Sequence, residues 1–170
     1  MSPSTRDATE ADLPRVLEIF NHAIVHTTAV WTLTPVTLDN RRTWLRERIA
    51  NGFPVLVAGD EGDVAGFASY GLFRAYEGFK HTVEHSVYVH EGARGRGVGR
   101  ALLAALIAHA EAHAIHVLVG VIDAENHASV ALHKSAGFVE AGMLRESGRK
   151  FGRWLDMLSM QRILGGAGHA

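Results

Sequence analysis

The stretch Thr82–Arg100, T-V-E-H-S-V-Y-V-H-E-G-A-R-G-R-G-V-G-R, constrains the fold more than any other part of the chain. It begins as an alternating run of β-branched and aromatic residues, the pattern of a strand. It ends in Arg94-Gly95-Arg96-Gly97-Val98-Gly99-Arg100 and passes directly into an Ala/Leu-rich segment. There Val98, Leu102, Leu103, Leu106, Ile107 and Ala110 recur at helical spacing, which predicts a helix from Gly97 to about His113. A glycine-rich turn between strand and helix leaves backbone N–H groups bare at a helix N-terminus, which suits a phosphate. Glu84 lies on the strand just upstream. A phosphate cradle beside a placed carboxylate is the outline of an enzyme that uses a nucleotide-type cofactor.

The rest of the chain supplies the frame. Its 170 residues suit one domain, residues 1–164, with 165–170 as a loose tail. A net charge of -1 gives no general attraction to nucleic acid or to an anionic membrane. There is no cysteine, hence no disulfide, no thiolate nucleophile and no cysteine metal site. The N-terminus lacks the apolar core of a signal peptide, and no apolar run approaches the ~20 residues that cross a bilayer. The expectation is a cytoplasmic protein without nucleic-acid or membrane partners.

Local patterning predicts the remaining elements. Thr5–Ala8 reads as an edge strand. Thr9 and Asp12 read as a cap pair for a helix from Glu10 to Val25, with Pro14 tolerated in its first turn. Thr37 caps a second helix, Leu38–Asn51, with Trp44, Leu45 and Ile49 inward and Gly52 as terminator. Pro54–Ala58 and Val64–Phe73 form a hairpin about the turn Asp60-Glu61-Gly62-Asp63. After the central strand and helix come a strand His116–Ile122, a helix Ala128–Ala136 stopped by Gly137, and strands Phe138–Leu144 and Phe151–Met160. This order predicts an α/β (α+β) fold: a mixed, mostly antiparallel sheet with helices on both faces.

The Arg94–Gly99 turn is not a dinucleotide fingerprint, because the third glycine position falls on Leu102. Nor is it a P-loop, because no Lys-Ser/Thr follows the glycines. Arg-x-x-Gly-x-Gly remains: taken alone it reads equally as a solvated basic turn or as a pyrophosphate cradle built from backbone amides, and the strand before it and helix after it favour the cradle. Asn126 opens a second strand–turn–helix, Asn126 to Phe138, where by itself it reads as a helix cap. His85 and Ser86 are strand neighbours on opposite faces and so form no nucleophile–base pair. His109 and His113 share a helix face without the H-E-x-x-H pattern, and read as a solvated face rather than a metal pair. No metal is expected. Trp31, Trp44 and Trp154 read as core or interface aromatics.

Together, the glycine turn after a strand, Asn126 near the next strand end, and Gly137-Phe138 beyond it resemble the GNAT N-acetyltransferase superfamily. A narrower likeness, to its phosphinothricin / methionine sulfoximine (methionine sulfone) acetyltransferase branch, is carried by several blocks. They are Thr27–Trp31, Arg74–Phe79, Thr82–Val89, Ser129–His133 and Lys150–Asp156. The resemblance implies a GNAT fold whose two strands Thr82–His90 and His116–Ile122 splay apart to admit acetyl-CoA. It implies cofactor contacts from Val87, Tyr88, Val89, Arg94, Gly95, Arg96, Gly97, Val98, Gly99, Arg100, Asn126 and Ser129. An oxyanion donor is expected on the strand backbone near Val89.

The resemblance places Arg74, Ala75, Tyr76, Glu84, His85 and Ser86 at an amino-acid-like substrate, with Arg74 suited to its α-carboxylate. Glu84 is then the base that removes the ammonium proton. His133 stands where many relatives carry a tyrosine acid, so His133 and Tyr88 are rival donors to the departing thiolate. A homodimer is implied, with Lys150–Asp156 near the site or the interface. Two alternatives stay open: the same machinery acting on a polyamine or a protein N-terminus, and a non-catalytic acyl-CoA-binding module.

Overall fold

The structure, a computed structural model, describes residues 3–60 and 63–165. The centre of the expected 60–63 turn and most of the expected tail lie outside the described residues. One seven-stranded sheet runs in the order β1-β2-β3-β4-β5-β7-β6. Its strands are β1 (Thr5–Asp7), β2 (Val55–Asp60), β3 (Asp63–Leu72), β4 (Thr82–Val89), β5 (Val117–Asp123), β6 (Val139–Lys150) and β7 (Arg153–Ile163). Among the described residues only β4 and β5 pair in parallel; the other neighbours are antiparallel. The helices are α1 (Leu13–His26), α2 (Leu38–Ala50), α3 (Val98–Ala112) and α4 (His127–Ser135). Among the described residues no helix is long and apolar enough to cross a membrane.

Strand alternation divides the core between the two sheet faces. Leu56, Ala58, Ala68, Tyr70 and Val83 pack against the α3 stripe Val98, Leu102, Leu103, Leu106, Ile107 and Ala110. Val55, Val57 and Phe67 pack on the other face against Leu13, Val16 and Ile19 of α1 and Leu45 of α2. Thr9 and Asp12 form the expected capping box, around a 3-10 turn (Glu10–Asp12) that precedes α1. Thr37 caps α2 by accepting from the Asn40 N–H.

Three expectations are corrected. Ile49 points to solvent, at 61% exposure. The inward stripe of α2 is instead Arg41, Trp44, Leu45 and Arg48, the i, i+3, i+4, i+7 set of one helix face. The strand after Gly137 continues to Lys150, so Arg145–Lys150 are strand rather than connection. Phe151 does not open the last strand: with Gly152 it forms a two-residue hairpin turn, both at positive φ (51° and 76°).

Candidate active site

The parallel ladder between β4 and β5 joins Thr82 to Val117, Val83 to Leu118, Glu84 to Val119 and His85 to Gly120. Beyond His85 and Gly120 the two strands no longer pair, while each remains paired on its other side through Val89 and Asp123. The open backbone edges of Ser86–Val89 and Val121–Asp123 border a cavity of ≈ 1150 Å³ that reaches the N-terminus of α3. Gly97 caps that helix in the left-handed region, φ 81°, and Gly95 has φ 75°, a conformation glycine adopts without steric cost. Gly99 lies so close to Leu132 and Val89 that a Cβ would come 3.3 Å and 3.6 Å from their side chains. Bare helix amides, two left-handed glycines and an unpaired strand edge fit a pyrophosphate followed by an amide-bearing arm.

The expected cofactor residues come together here: every one except Arg96 lines the cavity. Asn126 also performs the plain role of a cap, accepting from the Ser129 N–H at 3.1 Å. The loop after α1 reaches the same cavity through Thr27, Thr28 and Ala29. Its anchors were not legible in the sequence. The Thr28 hydroxyl bonds the Asp123 carboxylate. Buried Lys150 donates to the carbonyls of Thr27 (2.7 Å) and Val30 (2.5 Å). Trp31 lies flat enough on Gly148 that a Cβ there would be 2.3 Å from its ring.

His85 and His133 also line the cavity, both buried. Their Nε2 atoms meet at 2.9 Å, and His133 Nδ1 lies 2.7 Å from the Ser129 carbonyl oxygen. Burial pushes both imidazoles down, His85 to about 3. Tyr88, the rival acid, stacks edge-on against Phe20 at 5.4 Å. Burial pushes its hydroxyl up to about 12.

Glu84, Arg74, Ala75 and Tyr76 lie outside the cavity lining. Glu84 is on the face of β4 shared with Ser86 and Tyr88, opposite to His85. Its side chain is exposed, yet loss of water raises its carboxyl from the usual range, with Arg74 and Arg48 opposing. Arg74 stacks on Phe73 at 4.2 Å and donates to the Phe73 carbonyl. Ala75 and Tyr76 are exposed, Tyr76 at 77%. The structure thus puts the expected base Glu84 and the expected substrate residues Arg74, Ala75 and Tyr76 beside the cofactor cavity, while the other two, His85 and Ser86, line it.

The histidine pair on α3 is only partly the solvated face expected. His113 is exposed, but His109 is half-buried and shares a 2.6 Å hydrogen bond with the Tyr70 hydroxyl. Among the described residues no group of three or more His, Cys, Asp or Glu converges on a metal position. Of the tryptophans, Trp31 and Trp44 are half-buried and Trp154 is 58% exposed.

With this geometry in view, the comparisons are unambiguous about class. Residues 16–138 match the acetyltransferase (GNAT) family, and the chain belongs to it: the fold is the GNAT fold and the protein is an N-acetyltransferase. It is 52% identical over 162 residues to the L-methionine sulfoximine/L-methionine sulfone acetyltransferase of Pseudomonas paraeruginosa, covering 95% of this chain and 94% of that one. Among solved structures, yncA of Salmonella typhimurium with its cofactor acetyl-CoA superposes with TM-score 0.95 at 44% identity, covering 100% and 98%. The ribosomal-protein-alanine N-acetyltransferase of Brucella melitensis gives TM-score 0.92 at 56% identity, covering 95% and 99%.

Proposed function

We propose that this enzyme transfers the acetyl group of acetyl-CoA to the α-amino group of small amino-acid analogues of the methionine sulfoximine, methionine sulfone or phosphinothricin type. The observation that carries the reading is the end of β4–β5 pairing at His85 and Gly120, with Glu84 one residue before the opening. A carboxylate there stands where an amine would approach a thioester held in the splay. Acetyl-CoA supplies the activated acetyl group. The bare amides of α3 hold its pyrophosphate, and the free edge of β4, Val87 to Val89, holds its arm and polarises the thioester oxygen. Glu84 takes one proton from the substrate ammonium, so that nitrogen presents a lone pair. The C–N bond forms as the C–S bond breaks, in one complex of three; the nitrogen gives up its second proton to solvent, and the thiolate takes one from the His133 or Tyr88 side, which solvent restores. The chain has no cysteine to carry the acetyl group in between. Arg74 and Tyr76 take the substrate carboxylate.

The reading includes a cytoplasmic homodimer. In its support, β6 is the outermost strand and exposes Val139 (60%), Met143 (46%) and Leu144 (57%), next to the exposed Phe151 and Trp154. Such an edge is usually covered.

A second reading, acetylation of a protein N-terminal amine, is favoured by the name of the Brucella relative. Release of CoA, followed with a thiol reagent over a panel of methionine sulfone, methionine sulfoximine, phosphinothricin, a polyamine and an alanine-initiated peptide, tests both. Turnover concentrated on the amino-acid analogues is expected. Release only with peptide or polyamine overturns the substrate reading, and no release with any amine overturns the enzyme reading. Light scattering of the purified protein tests the dimer.

A further inference from the structure

Gly71 of β3 lies directly across from Glu84 of β4 in the antiparallel register. Residues so paired point their side chains to the same face, with Cβ atoms about 5 Å apart. Gly71 has no side chain to put there, and Arg48 of α2 takes the place. A Cβ built on Gly71 would fall 1.5 Å from Arg48 Nη1 and 2.6 Å from its Cζ. The guanidinium therefore occupies the cross-strand slot opposite Glu84. It is held there by a hydrogen bond from Nη1 to the Tyr70 carbonyl at 3.2 Å and by Phe53, whose ring centre is 6.0 Å from Cζ.

We infer that Arg48 is a positioning residue for the base: through the slot vacated by Gly71 it keeps Glu84 ionised as substrate displaces water. This rests on Glu84 being the base. The groups facing Glu84 are few. From the segment after β3 comes Arg74, from α2 Arg48, and from its own strand Tyr88; the β5 partner is the uncharged Val119. Glu47 acts on Arg48 in turn. Arg74 lies in an exposed loop and is the residue expected to take the substrate carboxylate, which would neutralise it. Arg48 is half-buried, tied to the sheet backbone and outside the acetyl-CoA cavity, so it stays beside Glu84 throughout. A fixed cation within reach favours the charged form of a carboxyl group. Its removal raises the pH at which the base becomes available.

The test is the pH profile of kcat/KM for the amino-acid substrate in Arg48→Met, Arg48→Lys and Gly71→Ala. Arg48→Met should move the acidic limb up by about one pH unit, while the KM for acetyl-CoA stays within twofold of wild type. Arg48→Lys should keep the limb near the wild-type position. Gly71→Ala leaves Arg48 in the chain but puts a methyl group where its Nη1 lies, so it should move the limb in the same direction. The double variant Arg48→Met/Gly71→Ala should shift no further than either alone. An unmoved limb in Arg48→Met or in Gly71→Ala, or a rise in substrate KM with the limb fixed, overturns the inference. Glu84→Gln separates the two layers: wild-type turnover in that variant removes the base itself, whereas an inactive Glu84→Gln with unmoved limbs removes only the role of Arg48.

Discussion

His85 and His133 meet head to head, Nε2 to Nε2 at 2.9 Å, at the point where β4 and β5 stop pairing. The contact dictates where the protons are. The Ser129 carbonyl accepts at 2.7 Å, so His133 carries its proton on Nδ1. Its Nε2 is then a lone pair, and only a proton on His85 Nε2 avoids two lone pairs facing each other. That leaves His85 Nδ1 as a buried nitrogen without a hydrogen-bond partner. A further proton would go there, toward the backbone of Val119, which favours the charged form. Gly120 makes the pair possible, because a Cβ there would lie 3.1 Å from both rings.

Nitrogen-15 NMR of the histidine rings checks this arrangement. At pH 7 His133 should appear as the Nδ1–H form and His85 as the Nε2–H form, both neutral. His85 should stay neutral to about pH 4, well below a free imidazole. An imidazolium at either ring near pH 7 would mean that the pair stores a proton at rest, which would make it a ready acid for the thiolate.

Glu84→Gln keeps the shape of the side chain and loses its basicity. The kcat should fall on the order of 10²- to 10⁴-fold. The KM for acetyl-CoA should change little, because Glu84 does not line the cavity. Turnover at the wild-type rate across a pH series would end its assignment as the base.

Gly97→Ala places a Cβ at φ 81° on the cap of α3. The strain should lower stability by about 1–2 kcal/mol. If the α3 amides hold the pyrophosphate, relaxing the turn should also raise the KM for acetyl-CoA more than it lowers kcat. A thermal melt and a saturation curve read the two effects separately; a lower melting temperature with unchanged KM would move the pyrophosphate elsewhere.

The parts that the sequence displayed are those with a clean period. The Thr82–Arg100 unit and the α3 stripe stand out because each alternates or repeats against a buried face. Arg145–Lys150 did not, because the second half of β6 lies on the sheet edge, mostly exposed, with the ladder irregular between Leu144 and Gly148. Phe151 hid the hairpin turn, since a bulky residue at positive φ is uncommon. The α2 stripe misled because Arg41 and Arg48 occupy positions where an apolar residue is expected, which sent Ile49 to the wrong side. The same exchange concealed Arg48 behind Glu84. Contacts between distant segments, such as His85 with His133 or Lys150 with Thr27, leave no local pattern at all.

Lys150→Met removes the donor that holds the loop after α1. The carbonyls of Thr27 and Val30 would lose a buried partner, at a cost of about 1–3 kcal/mol in stability. Thr27, Thr28 and Ala29 border the cavity, so the loop should loosen there first. Hydrogen exchange should show faster exchange in residues 27–31, with β4 and α3 unchanged; uniform loosening of the whole chain would argue against a local clamp.

Acid should destabilise the fold in two overlapping windows of the same sign. Unfolded, His85 binds a proton below about 6.5. Folded, it refuses one until about 3, so stability falls as pH drops from 6.5 toward 3. Asp12 acts lower. Its carboxylate receives both Arg6 nitrogens at 2.8 Å and the Thr9 N–H at 2.8 Å, which brings it down from 3.8 to about 2. Its contribution, about 2 kcal/mol, is complete above pH 3.8 and disappears as pH falls toward 2. Asp12→Asn should therefore lose about 2 kcal/mol at pH 7 and flatten the lower window, while the upper one remains. Urea unfolding at half-unit pH steps measures both. A variant that loses stability equally at pH 7 and pH 2 would show that Asp12 acts through packing and not through its charge.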